Sequence, residues 1–265
     1  MIGNVSLNAI ALIKSLVKSA IYKINLDHER NRLLNNRINN IESSLIRIKN
    51  LGFKPSLIFD GGANQGEFTR FCVQLWPEAT IACFEVLPHR VTELKQFAQK
   101  HPNVKVFPVL LGQENNDRIP FYELEGDAET ASSILDATNS FNIPPKYHPM
   151  RTMNDIIAKE FNGQAPDLVK LDVQGYELEI LKGAEENLAQ MQVIIAELAV
   201  LELYQGVPLL SEIVEWFRQR NWETYDICGF WRRPLDLAMW NVDFMFIPRE
   251  HFLRQDKSYG DKKQK

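Results

Sequence analysis

Two acids that end apolar runs, Asp60 and Glu85, stand on either side of a glycine-rich bend, and their spacing describes a seat for a nucleoside. Leu57, Ile58 and Phe59 suit a strand buried on both faces; Asp60 closes it, and Gly61, Gly62 and Gly66 follow before a helix start. Glycines at such a bend remove the side chains that would hold a bulky ligand off the backbone. Glu85 ends the next apolar run, Thr80 to Phe84, 25 residues after Asp60. At that remove a carboxylate can accept from both hydroxyls of an adenosine ribose.

The glycine pattern Gly61-x-Ala63-x-x-Gly66 also satisfies the loose motif of nicotinamide dinucleotide proteins, so the glycines alone do not choose the ligand. Charge does more. A dinucleotide carries two phosphates that favour bare amides at a helix N-terminus, whereas S-adenosylmethionine carries a sulfonium and an ammonium that favour nearby acids. Asp60 sits directly ahead of the glycines, and no arginine or lysine nearby is evidently placed to bind a pyrophosphate. The residues therefore favour S-adenosylmethionine, with a nicotinamide-dependent oxidoreductase as the rival and a non-catalytic adenosylmethionine-fold binding module as a second.

Ligands of open α/β sheets bind beyond the carboxyl ends of the strands, which directs attention to two further strand-ending acids, Asp172 and Glu197. Methyl transfer is an in-line displacement at a sulfonium carbon, so holding the nucleophile close supplies much of the rate, and a hydroxyl nucleophile must also lose its proton. Asp172 is the first choice of base; its competing role is to cap the helix that begins near Tyr176. Lys170, two residues earlier, lies on the same strand face and needs a partner, with Asp172 or another acid available. Glu197 is a reserve base, while Glu177 suits a bond within its own helix turn. His89 and His148 are further candidates as histidines, and Ser132 and Ser133 suit contacts to a cofactor carboxylate or an acceptor.

The residues resemble the FkbM-type methyltransferases, a family of class I S-adenosylmethionine enzymes acting on sugar hydroxyls. The resemblance runs from about Ser44 to Pro248. It rests on Phe59 to Thr69, on Phe84-Glu85 followed by Pro88, and above all on Asp167 to Glu177 running into Leu181-Lys182-Gly183-Ala184. Gly61, Tyr176 and Gln174 depart from the family's usual Val or Ile, small residue and Glu. Residues and resemblance together place cofactor contacts at Asp60, Gly61, Gly62, Asn64, Gly66, Phe68, Glu85, Ser133 and Asp172, and catalysis at Asp172 and Lys170. Asp172 is followed by Val173 and Gln174, which offer no clear second metal ligand, so no metal is expected. The implied acceptor is a saccharide or glycosylated small molecule.

Strands and helices alternate from Leu57 onward, the pattern of a parallel sheet covered on both faces. The fold expected is α/β, a Rossmann-like class I methyltransferase sheet of about seven strands. The last two, Thr224 to Cys228 and Asp243 to Ile247, are joined without a crossover helix and should pair antiparallel. A single helix is expected over Tyr176 to Gln190, and an insertion over Ile119 to Pro149 with one short strand, Phe121 to Leu124. The final hairpin carries Phe230, Trp231, Arg232, Arg233 and Trp240, and Tyr204 lies beyond the fifth strand. Such a cluster suits a sugar platform, but tryptophans at a sheet edge more often pack on the domain, and packing is the expectation here.

Three segments are expected: a helical extension over 1–50, the methyltransferase domain over 51–250, and a polar, lysine-rich tail over 251–265. In the extension, Ile10, Ile13, Val17, Ala20 and Ile24 follow helical spacing with Lys14, Lys18 and Lys23 among them. That basic amphipathic helix suits the domain surface, a second copy of the chain, or a membrane interface. Leu34, Ile38, Ile41, Leu45 and Ile48 form a heptad seam too short to stand alone, which should dock on the domain or a dimer partner.

At 265 residues and 45% hydrophobic content the chain can bury one large core. A formal charge of −4 supplies no broad attraction for nucleic acid. Cys72, Cys83 and Cys228 lack C-x-x-C spacing and histidine partners, which argues against zinc or a disulfide framework and for buried thiols. With no apolar stretch long enough to span a bilayer, the expected location is cytoplasmic, with the inner membrane face as the site of any peripheral contact.

Overall fold

The computed structural model describes residues 40–124, 132–135 and 144–259. The first predicted helix, with Ile10 to Ile24, lies outside them, as do Leu34 and Ile38 of the second. Ten strands follow in order: β1 (Leu57–Gly61), β2 (Thr80–Phe84), β3 (Val104–Phe107), β4 (Leu110–Leu111), β5 (Asn116–Phe121), β6 (Lys146–Arg151), β7 (Leu168–Leu171), β8 (Val193–Ala199), β9 (Trp222–Arg232) and β10 (Met239–Pro248). The helices are α1 (Ile41–Asn50), α2 (Glu67–Leu75), α3 (Pro88–Ala98), α4 (Met153–Glu160), α5 (Glu177–Lys182) and α6 (Leu210–Gln219).

Seven strands form the main sheet in the order β3-β2-β1-β7-β8-β10-β9. All neighbours are parallel except β10, which runs antiparallel to both β8 and β9. The expected α/β sheet and antiparallel final hairpin are therefore present. Successive strand residues feed opposite layers, as the period of two demands. Leu57, Phe59, Ala82 and Phe84 pack toward α4, α5 and α6, whereas Ile58, Ile81 and Cys83 pack toward α1, α2 and α3. Burial on both faces explains why the strands read as apolar runs rather than alternating ones.

Helix α1 docks on this domain: Leu45 and Ile48 are fully buried, the Ser44 hydroxyl donates to Asp226 Oδ2 at 2.7 Å, and Arg47 pairs with the same carboxylate. Its start is fixed by reciprocal bonds between Asn40 and Ser43. The second sheet, in the order β4-β6-β5, replaces the single strand expected within the insertion. The predicted helix over Tyr176 to Gln190 ends instead at Lys182. There Gly183 passes so close to the 110s loop that a Cβ would lie 2.1 Å from the Gly112 carbonyl oxygen. The final strands are longer than expected, so Phe230, Trp231 and Trp240 lie on the strands themselves.

Candidate active site

Strand order reverses between β1 and β7, the crevice where open α/β sheets bind ligands. A cavity of about 470 Å³ opens there, within the range of small-molecule sites. Gly62, Asn64 and Glu85 line it from beyond β1 and β2; Phe84, Val86, Leu87, Leu110 and Leu111 form apolar walls; Asp172, Gln174 and Glu197 line it from β7 and β8, with Trp231 and Trp240 from β9 and β10.

The bend after β1 is held by backbone bonds: the amides of Gly62 and Ala63 donate to the Phe84 carbonyl at 3.1 and 3.0 Å. Glu85 then ties the two strand ends together. Its Oε2 accepts from the Asn64 amide at 2.8 Å, and its Oε1 accepts from the amides of Val86 and Leu87 at 2.7 and 2.9 Å. Burial pushes the Glu85 carboxyl up, opposed by those backbone bonds. Oε1 thus has both lone pairs taken in the protein, leaving Oε2 the freer oxygen for a ribose hydroxyl. Asn64 adopts a positive φ of 45°, and its side-chain Oδ1 is buried without a hydrogen-bond partner. An orphaned acceptor on a cavity wall fits a ligand that donates, as an adenosylmethionine ammonium or hydroxyl would.

The glycines serve strand and helix packing as well as the expected opening at Gly62. A Cβ on Gly62 would lie 2.0 Å from the Asp172 carbonyl oxygen, and φ there is +75°. On Gly66 it would meet Leu94 at 2.6 Å, and on Gly61 it would meet Leu171 at 3.0 Å. These positions are bare so that β1, β7 and α3 can close on one another; of the three, Gly62 alone lines the cavity.

Other expected contacts are also relocated. Asp60 has no exposed surface and is absent from the cavity wall; it accepts from Thr69 Oγ1 at 2.6 Å and faces Lys170 Nζ at 3.9 Å. Burial pushes its carboxyl up, opposed by the Lys170 charge. Phe68 is core packing, its ring 5.9 Å from Lys170 Nζ. Ser133 is buried, its hydroxyl donating to the Gln174 carbonyl at 2.8 Å, so it shapes the loop while Ser132 lines the cavity. His148 bonds Glu123 at 2.9 Å away from the cavity wall.

The acids that end β7 and β8 form a network. Gln174 Nε2 donates to Asp172 Oδ1 at 2.9 Å and to Glu197 Oε2 at 2.8 Å, while Lys170 Nζ lies 3.2 Å from Asp172 Oδ2. Burial alone would lower the Lys170 ammonium, but the Asp172 and Asp60 charges outweigh it and hold it above its ordinary range. Burial, then the neighbouring charges of Asp172, Glu177 and Asp243, push Glu197 up to about 9, so it carries its proton at neutral pH. Asp243, opposite Glu197 in the β8–β10 register, is pushed up to about 6, chiefly by burial. Expected to bond within its own helix turn, Glu177 accepts instead from the amides of Val173 and Gly175 in the loop before that helix, and burial raises it to about 7. Sequence reasoning missed Asp243 and the bridging role of Gln174. Among the described residues no group of His, Cys, Asp or Glu is arranged to hold a metal ion.

An alternating sheet with a cavity at its switch point and an antiparallel last strand defines a Rossmann-like methyltransferase architecture. Residues 60–223 match the family model described as the methyltransferase FkbM domain, and the chain belongs to that family. It is 28% identical over 176 residues to the 2-O-methyltransferase NoeI of Sinorhizobium fredii (strain NBRC 101917 / NGR234), covering 61% of this chain and 71% of that one. It is 25% identical over 150 residues to Methyltransferase 1 of Beauveria bassiana (strain ARSEF 2860), covering 50% and 59%. An rRNA methylase from Streptococcus thermophilus superposes with a TM-score of 0.45 at 10% identity, covering 80% of this chain and 98% of that one. The protein is an S-adenosylmethionine-dependent methyltransferase.

Proposed function

We propose that the protein transfers a methyl group to a hydroxyl of a saccharide or glycosylated small molecule. The observation that carries this is the common cavity: the bend with its orphaned Asn64 Oδ1 and the freer oxygen of Glu85 opens into the same space as Asp172. Bound there, adenosylmethionine supplies an electrophilic methyl group. Gly62, Asn64 and Glu85 would hold its polar ends, and Val86, Leu87 and Leu110 its adenine.

Asp172, half-open to the cavity, accepts the proton of the acceptor hydroxyl. Lys170 and Gln174 each grip one of its oxygens, which fixes the carboxylate toward the reacting atom. Glu197 carries a proton and can donate to a neighbouring acceptor oxygen. The relative named as a 2-O-methyltransferase supports oxygen as the atom methylated.

No helix among the described residues is long and apolar enough to cross a membrane. Contact of the N-terminal extension with a membrane face or a second copy remains part of the proposal. The test is to incubate the purified protein with methyl-labelled adenosylmethionine and a panel of methyl glycosides. Label on a saccharide hydroxyl is the expected result; label on nitrogen, or on none of the saccharides, overturns the reading.

A further inference from the structure

The sequence holds five tryptophans, and they divide into two groups. Trp76, Trp216 and Trp222 are buried, at 6%, 8% and 2% exposure. Trp231 and Trp240 instead line the cavity, and Trp231 is 56% exposed. The packing expected of hairpin tryptophans at a sheet edge is therefore not what Trp231 does.

Backbone geometry explains how both indoles reach one space. Along the β9–β10 ladder Asn241 opposes Trp231 and Met239 opposes Arg232, with a register irregularity between them. β10 advances two residues where β9 advances one, so Trp240 has no partner of its own. In a regular ladder Trp240 would point to the face opposite Asn241, and hence opposite Trp231. A bulge cancels that alternation and re-aims the side chain, a device common beside active sites. The bulge is anchored: the Trp240 carbonyl accepts from the amides of Val200 and Leu201 at 2.7 and 3.4 Å. Those residues follow directly on the end of β8, the strand that carries Glu197.

We propose that Trp231 and Trp240 form the acceptor subsite, where a saccharide ring lies against an indole face with its reacting hydroxyl turned toward Asp172. This rests on the saccharide reading above. One face of a pyranose presents C–H bonds, whose slight positive charge suits the negative face of an aromatic ring, while its hydroxyls need polar partners at the rim. The cavity supplies both, since Asp172, Gln174 and Glu197 share it with the indoles. A ring that reads shape on one side and hydroxyls on the other is selected by that pairing. Trp240 is a specificity residue here because the bulge, not its neighbours in sequence, sets its direction.

The full chain with bound S-adenosylhomocysteine is examined by saturation-transfer NMR against a panel of methyl glycosides, alongside Trp231→Ala, Trp240→Ala and Trp240→Phe. Saturation of sugar ring protons is expected in the original chain, lost in the alanine variants and retained with phenylalanine. In turnover assays the alanine variants should raise the acceptor KM by about tenfold, with kcat changed less than about threefold and S-adenosylhomocysteine affinity unchanged. If the original chain methylates a saccharide while both alanine variants keep KM within about twofold, the subsite is overturned and the methyl-transfer reading stands. If the original chain neither methylates a saccharide nor shows saturation transfer, both are overturned.

Discussion

The β1–β2 and β7–β8 sides of the cavity hold their polar groups by opposite means. On the β1–β2 side the backbone does the holding: Glu85 accepts three main-chain amides, and Gly62 lets β1 lie against the Asp172 carbonyl. On the β7–β8 side side chains hold one another, with Gln174 spanning two carboxylates and Lys170 set between Asp172 and Asp60. Main-chain amides gathered on one carboxylate hold a single shape, which suits a cofactor common to many reactions. A network built of side chains can be altered one residue at a time, which suits an acceptor. Changes on the β1–β2 side should disturb folding and cofactor binding together, and changes on the β7–β8 side should leave cofactor binding intact.

The largest effect expected is on the β7–β8 side. Asp172→Asn should slow turnover by about 10²-fold or more while cofactor affinity stays within a few-fold. Full turnover in that variant would remove Asp172 from proton transfer. Gly62→Ala probes the β1–β2 side, since the added carbon meets a carbonyl oxygen in a conformation only glycine adopts easily. It should cost at least about 2 kcal/mol, lowering Tm by roughly 4–8 °C; an unchanged melting curve would show that the β1–β7 approach is not tight.

Glu85→Ala should weaken S-adenosylhomocysteine binding about tenfold or more in calorimetry, with a lowered Tm because three amides lose their acceptor. Weakened binding without any loss of stability would blur the contrast between the two sides. The smallest effect separates the acids by pH. Glu197 sits at about 9 in the folded chain against an ordinary 4.5, so the folded state holds its proton more tightly than the unfolded one. Its stabilising contribution is complete below pH 4.5 and drains away as pH rises toward 9. Glu197→Gln does not titrate, so its Tm relative to the original chain should climb across that window, by the equivalent of about 1 kcal/mol or more. A flat difference would place Glu197 outside the buried network.

What the sequence made legible follows from which forces are local. Strands buried on both faces must be apolar along their length, so Leu57 to Phe59 and Thr80 to Phe84 could be recognised directly, as could the acids that end them. Glu85 and Asp172 were placed in the cavity on that ground. Contacts between distant segments were not legible. The bare Cα positions of Gly61, Gly62 and Gly66 look the same in sequence whether they admit a ligand or a neighbouring strand. Asp60 reads as a strand-end acid although Thr69 and Lys170 enclose it. Asp243 becomes part of the site only through its antiparallel register with Glu197, and Trp240 through a bulge that no local pattern marks.

The most direct test is native mass spectrometry of the full chain after incubation with excess S-adenosylhomocysteine and, separately, excess nicotinamide dinucleotide. One S-adenosylhomocysteine per chain and no dinucleotide is the outcome predicted by the cavity at Gly62, Asn64 and Glu85. A chain that remains bare with the first ligand, or that takes up the second instead, would contradict it.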